Sequence, residues 1–97
     1  MEQRKIVWAS SAYQDFREGF EYIAQDNRIA AQAWIKQILA SIERLASFPH
    51  LGRVIPEIGK SRYREIIVGE YRIFHEVREK EILIYRVFHS KRLLDTP

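Results

Sequence analysis

The sequence predicts an α+β fold with the element order β-α-α-β-β-β. The first half holds two stretches in which apolar residues recur at helical spacing, and the second half holds three short runs rich in Ile, Val, Tyr and Phe. The 97 residues can supply one hydrophobic core but hardly two. We therefore expect a single domain that spans residues 1–97.

The first two elements are a short strand and an amphipathic helix. The strand is predicted at Lys5–Trp8, and Ser11 with Gln14 has the spacing of a capping box that would begin the helix. The helix is predicted over residues 11–25. Its apolar residues at helical spacing are Tyr13, Phe16, Phe20 and Ile23.

The second helix is predicted to follow after a very short link. Asp26 and Asn27 can end the first helix and cap the second, and Pro49 disfavours helical geometry at Phe48. A link this short makes the two helices an antiparallel hairpin. The apolar stripe of the second helix comprises Ala31, Trp34, Ile35, Ile38, Ile42 and Leu45.

The second half is predicted to begin with a loop over residues 49–61, which is rich in Gly and Pro. Three strands are predicted after it, at Tyr63–Val68, Tyr71–Val77 and Ile82–His89. Between the first two, Gly69-Glu70 has the composition of a two-residue type II′ turn. That turn places Val68 opposite Tyr71, Ile66 opposite Ile73 and Arg64 opposite His75 on one face, with Ile67 opposite Arg72 and Glu65 opposite Phe74 on the other.

Composition and charge narrow the function classes. The chain has no cysteine, which excludes disulfide scaffolds and thiolate zinc sites, and its N-terminus resembles neither a signal peptide nor a membrane span. We expect a soluble, cytoplasmic protein without a membrane partner. The net charge is +3, and residues 49–97 hold ten basic against seven acidic side chains, whereas residues 1–48 hold six of each. An anionic partner should therefore meet the C-terminal half.

Several fragments in this order resemble the RelE/ParE superfamily of toxins from type II toxin–antitoxin systems. The likeness runs from about residue 5 to residue 94. The fragments are Phe48-Pro49-His50-Leu51-Gly52-Arg53, Pro56-Glu57, Tyr63-Arg64-Glu65, Tyr71-Arg72-Ile73-Phe74 and Val87-Phe88-His89-Ser90-Lys91-Arg92.

The resemblance implies a helical hairpin packed on a strongly twisted, mainly antiparallel four-stranded sheet. It also implies growth arrest and a cognate antitoxin that wraps the toxin in a hetero-oligomer, for which we expect an acidic, amphipathic segment. Members of the RelE branch cut messenger RNA on the ribosome without metal, whereas members of the ParE branch inhibit DNA gyrase. Both branches share one scaffold, so fold does not choose between them. No cofactor is expected in either case.

The nuclease branch would need a base, an acid and a cation at the scissile phosphate. By resemblance the candidates are Glu57 on the loop, Arg64 and Arg72 on strands, and His89 near the end of the last strand. Each has a plainer reading: Glu57 as a solvated loop carboxylate, His89 as a hydrogen-bonded strand-end histidine, and Arg72 as the structural partner of Glu65 or Glu76.

Two departures count against the nuclease. Position 90 is Ser where several nucleases carry a base-stacking aromatic, and the loop holds Lys60 in place of a dense lysine cluster. We therefore prefer gyrase inhibition, with a metal-independent mRNA endoribonuclease as the alternative. A non-catalytic RNA-binding module is disfavoured because the strands lack the exposed aromatics of an RNA-recognition motif. The residues expected to contact the target are Arg53, Arg64, Lys91 and Arg92.

Overall fold

The computed structural model describes residues 3–91 and shows the predicted α+β architecture. Two helices follow the first strand, and the remaining strands complete the sheet. The elements are β1 (Lys5–Trp8), α1 (Ser10–Asp26), α2 (Arg28–Ser47), β2 (Arg53–Val54), β3 (Tyr63–Val68), β4 (Tyr71–Val77) and β5 (Glu81–His89).

Within residues 3–91 the sheet has five strands in the order β1-β5-β4-β3-β2, so the predicted number of four was one too few. The additional strand is β2, in which Arg53 pairs with Glu65 and Val54 with Arg64. It lies within the stretch predicted as loop, where two residues are too short to give a period-2 pattern. β1 runs parallel to β5, and the other neighbours are antiparallel, as expected.

The hairpin between β3 and β4 has the predicted register. Val68 faces Tyr71 across a turn in which Gly69 has φ +61°, a conformation that favours glycine. All five predicted pairs are observed. Because alternate residues point to opposite faces, this register decides which side chains share a surface.

The start of α1 corrects the predicted capping box. Ala9 is the N-cap residue, and no side chain among residues 3–91 caps the helix there. The Ser11 hydroxyl donates instead to the Tyr85 carbonyl in β5 at 2.8 Å. At α2 the prediction is confirmed, since the Asn27 side chain accepts a hydrogen bond from the Ala30 backbone N–H at 3.0 Å. Among the described residues, neither helix is long and apolar enough to cross a membrane.

Both helices cover one face of the sheet. The core joins the α2 stripe to the strand residues that point to one side of β3, β4 and β5, and this side is the inner face of the sheet. On β5 the inward positions change from even to odd numbers at an irregularity opposite Phe74 and His75. We call the opposite side the outer face. The principal core residues are Trp34, Ile38, Ile42, Leu45, Ile66, Ile73, Ile82, Ile84 and Val87.

Candidate functional site

The outer face carries two rows of side chains that cross the strands. In the first row Ile67, Arg72 and Phe88 are register partners on β3, β4 and β5. The second row contains Arg53, Glu65, Phe74 and Arg86, on β2 to β5. Apolar rings and charged groups therefore alternate on one surface, a composition that a solvated sheet face does not require.

Arg72 lies at the centre of this surface between two carboxylates. Its Nε donates to Glu65 Oε1 at 2.7 Å, and one Nη2 hydrogen bond reaches Glu65 Oε2 at 2.6 Å. Nη1 donates to Glu57 Oε2 and Nη2 to Glu57 Oε1, each at 3.0 Å. Each carboxylate thus meets one edge of the planar guanidinium, the bidentate geometry that arginine favours. The alternative reading of Arg72 as the ion-pair partner of Glu65 is the arrangement observed.

The two carboxylates that contact Arg72 differ in solvent exposure. Glu65 is fully buried and its carboxylate lies 3.6 Å from the Arg53 Nε, whereas the Glu57 side chain is 53% exposed. The hydrogen bonds that Arg72 donates to Glu57 lower the pKa of Glu57, and those that it donates to Glu65 and Glu57 raise the pKa of Arg72. A carboxylate with a lowered pKa is a weaker proton acceptor than one whose pKa lies near neutrality.

Aromatic rings complete the surroundings of Arg72. The guanidinium carbon lies 4.9 Å from the centroid of the Phe74 ring, and Phe74 meets Phe88 edge-on at 4.9 Å. Arg86 extends over Phe88 at 5.8 Å and is fixed by Asp15 of α1, whose Oδ2 accepts from Arg86 Nε at 2.7 Å. Arg72 and Arg86 are thus held against aromatic rings, which favours the charged form of each guanidinium.

Arg64 lies elsewhere, because it shares strand parity with the core residue Ile66 and pairs with buried His75. Its Nη2 donates to the Gly52 carbonyl at 3.1 Å and its Nη1 to the Ser61 carbonyl at 3.5 Å. The guanidinium therefore joins the two ends of the loop that contains β2.

His89 also lies on the inner side of the sheet, at its far end. It pairs with Tyr71, which is adjacent to Arg72 and so points the opposite way, and the two rings meet edge-on at 5.3 Å. Its Nε2 lies 2.9 Å from Glu70 Oε2, and this contact lowers the pKa of Glu70. Val68 of β3 lies in the same row as Tyr71 and His89, four residues after Arg64. At ~3.3 Å per residue, the rows that contain Arg64 and His89 are therefore roughly 13 Å apart along the strands.

The four nuclease candidates are therefore not brought together. Glu57 and Arg72 meet on the outer face, while Arg64 and His89 lie on the inner side in different rows. Of the other predicted contact residues, Arg53 belongs to the outer face and Lys91 is exposed after β5. Arg92 lies outside the described residues.

Sequence reasoning missed the aromatic part of the outer face. Phe74 and Phe88 were interpreted only as strand formers, although the predicted hairpin already put Phe74 on the face of Arg72. The available signal was an aromatic residue two positions after an arginine, as in Arg72 and Phe74 and again in Arg86 and Phe88. The Asp15–Arg86 link could not be found this way, because it joins a helix to a strand 71 positions later.

Comparison with known proteins places this architecture in context. The family model described as "ParE toxin of type II toxin-antitoxin system, parDE" matches residues 6–94. The chromosomal ParDE TA system from P. aeruginosa is similar with a TM-score of 0.73 and 18% identity, over 90% of this chain and 96% of that chain. The RelB-RelE antitoxin-toxin complex from Methanococcus jannaschii is similar with a TM-score of 0.63 and 26% identity, over 92% of this chain and 95% of that chain. No curated protein matches the sequence significantly.

Proposed function

Because this chain belongs to the ParE toxin family of type II toxin–antitoxin systems, we propose that it arrests growth by inhibiting DNA gyrase and that a cognate antitoxin neutralises it. The two solved structures described above are toxin–antitoxin systems, which supports an antitoxin partner for this chain. The inhibitor needs a binding surface but no catalytic base or acid.

One observation carries the choice of gyrase over the ribosome. Metal-free RNA cleavage requires a base, an acid and a phosphate-binding cation within hydrogen-bond reach of a single scissile phosphate. Here Glu57 is engaged by Arg72 on the outer face, whereas His89 and Arg64 lie on the inner side. This arrangement supports binding rather than acid–base chemistry.

The direct test is a supercoiling assay with purified gyrase and the purified chain, run beside a translation assay that maps messenger RNA cleavage. We expect inhibition of supercoiling and no cleavage in the ribosomal A site. In cells, Glu57→Ala and His89→Ala should not lower toxicity, because proton transfer is not part of the mechanism. Substitution of Lys91 or Arg92 should lower it by weakening target binding.

The second candidate is a RelE-like, ribosome-dependent endonuclease, favoured by the 26% identity to the RelB-RelE structure. On that mechanism Arg64→Ala should lower the cleavage rate roughly a hundredfold, and loss of His89 should cost about as much. A-site cleavage that His89→Ala abolishes, with the fold unchanged, would replace gyrase inhibition by this activity.

A further inference from the structure

We infer that the outer edge of the Arg72 guanidinium is a binding site for a carboxylate of a partner protein, and that Glu57 occupies this site in the free chain. The expected ligand is a peptide segment with one Asp or Glu flanked by apolar side chains. This inference goes beyond gyrase inhibition and does not depend on which target the protein has.

The inner edge of Arg72 makes the site rigid. Glu65 is fully buried and holds Arg72 through hydrogen bonds of 2.7 and 2.6 Å, while the guanidinium lies over the Phe74 ring. An arginine fixed in this way loses little side-chain freedom when an anion reaches its second edge.

The outer edge, by contrast, is held by a replaceable group. Glu57 contacts Nη1 and Nη2 at 3.0 Å, but its side chain is half exposed and it lies on a stretch, residues 56–60, in which every residue is exposed. Near its end, Gly59 has open space around the position of a Cβ atom. Because the Glu57 side chain is partly solvated, water compensates its charge when it leaves, and an incoming carboxylate can take over both hydrogen bonds to Arg72.

The charge around Arg72 favours a single negative charge. Without Glu57, the buried Glu65 carboxylate lies between two guanidinium groups, those of Arg72 and Arg53. That cluster has a net charge of +1. One carboxylate neutralises it, whereas a doubly charged phosphate would leave an excess of negative charge beside a buried carboxylate.

Apolar neighbours favour a peptide over a nucleic acid. Ile67 flanks Arg72 in its row and is 56% exposed, and Phe88 flanks it on the other side and is half-buried. Side chains next to a partner carboxylate would cover both groups. A phosphodiester strand has no apolar side chain to place on Ile67, and its repeated charges would approach the released Glu57.

The test is an NMR titration of the full chain with the capped peptide acetyl-Leu-Glu-Leu-amide, followed through the Arg72 Nε–H resonance. Glu57→Ala should bind this peptide about threefold to tenfold more tightly than the wild type, because the internal competitor is removed. Glu21→Ala is the matched control: it removes one exposed carboxylate, paired with Arg17 on α1, and should leave the affinity at the wild-type value.

Two further probes make the outcome decisive. The Gln counterpart of the peptide should bind at least tenfold more weakly, and a short oligothymidylate should not compete with the Glu peptide. Equal affinities for the wild type and Glu57→Ala would overturn the inference, as would equal binding of the Gln peptide. Displacement of the peptide by the oligothymidylate would identify a phosphodiester site instead. None of these results depends on the supercoiling assay, so either proposal can fail alone.

Discussion

Arg72 and Glu65 form a buried ion pair in which each group compensates the charge of the other. Glu65 has no exposed surface, and both of its oxygens accept from the same guanidinium. Removal of one partner leaves the other buried charge with a single remaining ion-pair partner, Glu57 for Arg72 or Arg53 for Glu65. Removal of both replaces the pair by apolar packing. The pair therefore fixes the position of Arg72 more than it raises overall stability.

A double-mutant cycle tests this view. We expect Glu65→Ala to lower the free energy of unfolding by about 3 kcal/mol, and Glu65→Leu combined with Arg72→Met to recover most of that loss. Urea unfolding followed by circular dichroism gives both values. Glu21→Ala, at an exposed pair on α1, should change the free energy by less than about 0.5 kcal/mol. A double variant as unstable as Glu65→Ala would show that the pair itself stabilises the fold.

His75 should make stability depend on pH. It is fully buried, and burial, with a contribution from the Arg64 guanidinium, lowers the pKa of His75 from 6.5 to about 4. Below pH 6.5 the unfolded chain binds a proton that the folded chain does not, so the free energy of unfolding falls as the pH drops from 6.5 towards 4. At ~1.4 kcal/mol per pKa unit, the loss over this range is about 3 kcal/mol.

Thermal or urea unfolding between pH 7.5 and pH 4 measures this effect. His75→Phe keeps a planar ring without a titrating nitrogen, so its loss of stability over the window should be smaller than that of the wild type. His50→Gln, at an exposed loop position, should keep the wild-type profile. Identical profiles for His75→Phe and the wild type would mean that the buried ring does not control the acid response.

At the scale of elements, helices α1 and α2 meet where Gly19 contacts Trp34. A Cβ atom at Gly19 would lie 2.6 Å from Cη2 of the Trp34 ring. The ring has little room to move, since it stacks on Phe16 at 5.3 Å and meets Tyr71 at 5.0 Å. Close approach of the two helices thus depends on a residue without a side chain.

Gly19→Ala should therefore lower the free energy of unfolding by about 2 kcal/mol, even though alanine is the better helix former by about 1 kcal/mol. Unfolding in urea gives the value. In the Trp34→Phe background the smaller ring leaves space, so the same substitution should cost much less there. An equal cost in both backgrounds would place the penalty somewhere other than at this contact.

The sequence could predict elements that local features determine, but not those that depend on tertiary contacts. The β3–β4 register followed from Gly69-Glu70, because a two-residue turn leaves no freedom in the pairing. β2 was not predictable, since Arg53 and Val54 become a strand only by pairing with Glu65 and Arg64. Likewise, the Ser11 hydroxyl has a local cap within reach but binds Tyr85 of β5, a choice that tertiary packing decides.

The candidate site was predictable to a similar degree. The register that the Gly69-Glu70 turn predicts is sufficient to place Glu65, Ile67, Arg72 and Phe74 on one face. It could not place Glu57, because a loop has no periodicity that fixes the direction of a side chain. The bidentate contact with Arg72 depends on how residues 55–61 fold back over the sheet.

Across the whole molecule, the positive charge of the C-terminal half is largely balanced within the chain. Arg72, Arg78 and Arg86 all form ion pairs with carboxylates, so the field that a partner meets is weaker than the count of cations indicates. The excess still lies on the half that carries β2 to β5, and oppositely charged surfaces accelerate encounter.

We therefore expect the association rate with an acidic antitoxin segment to fall about tenfold between 50 and 500 mM salt, with a smaller change in the dissociation rate. Stopped-flow mixing measures both rates. Arg53→Glu, which reverses a 61% exposed charge beside Glu65 on the outer face, should slow association further at low salt. Arg17→Glu makes the same charge change on α1, away from the outer face, and should slow it less. An association rate that does not respond to salt, or that responds equally to both reversals, would mean that the outer face does not guide the encounter.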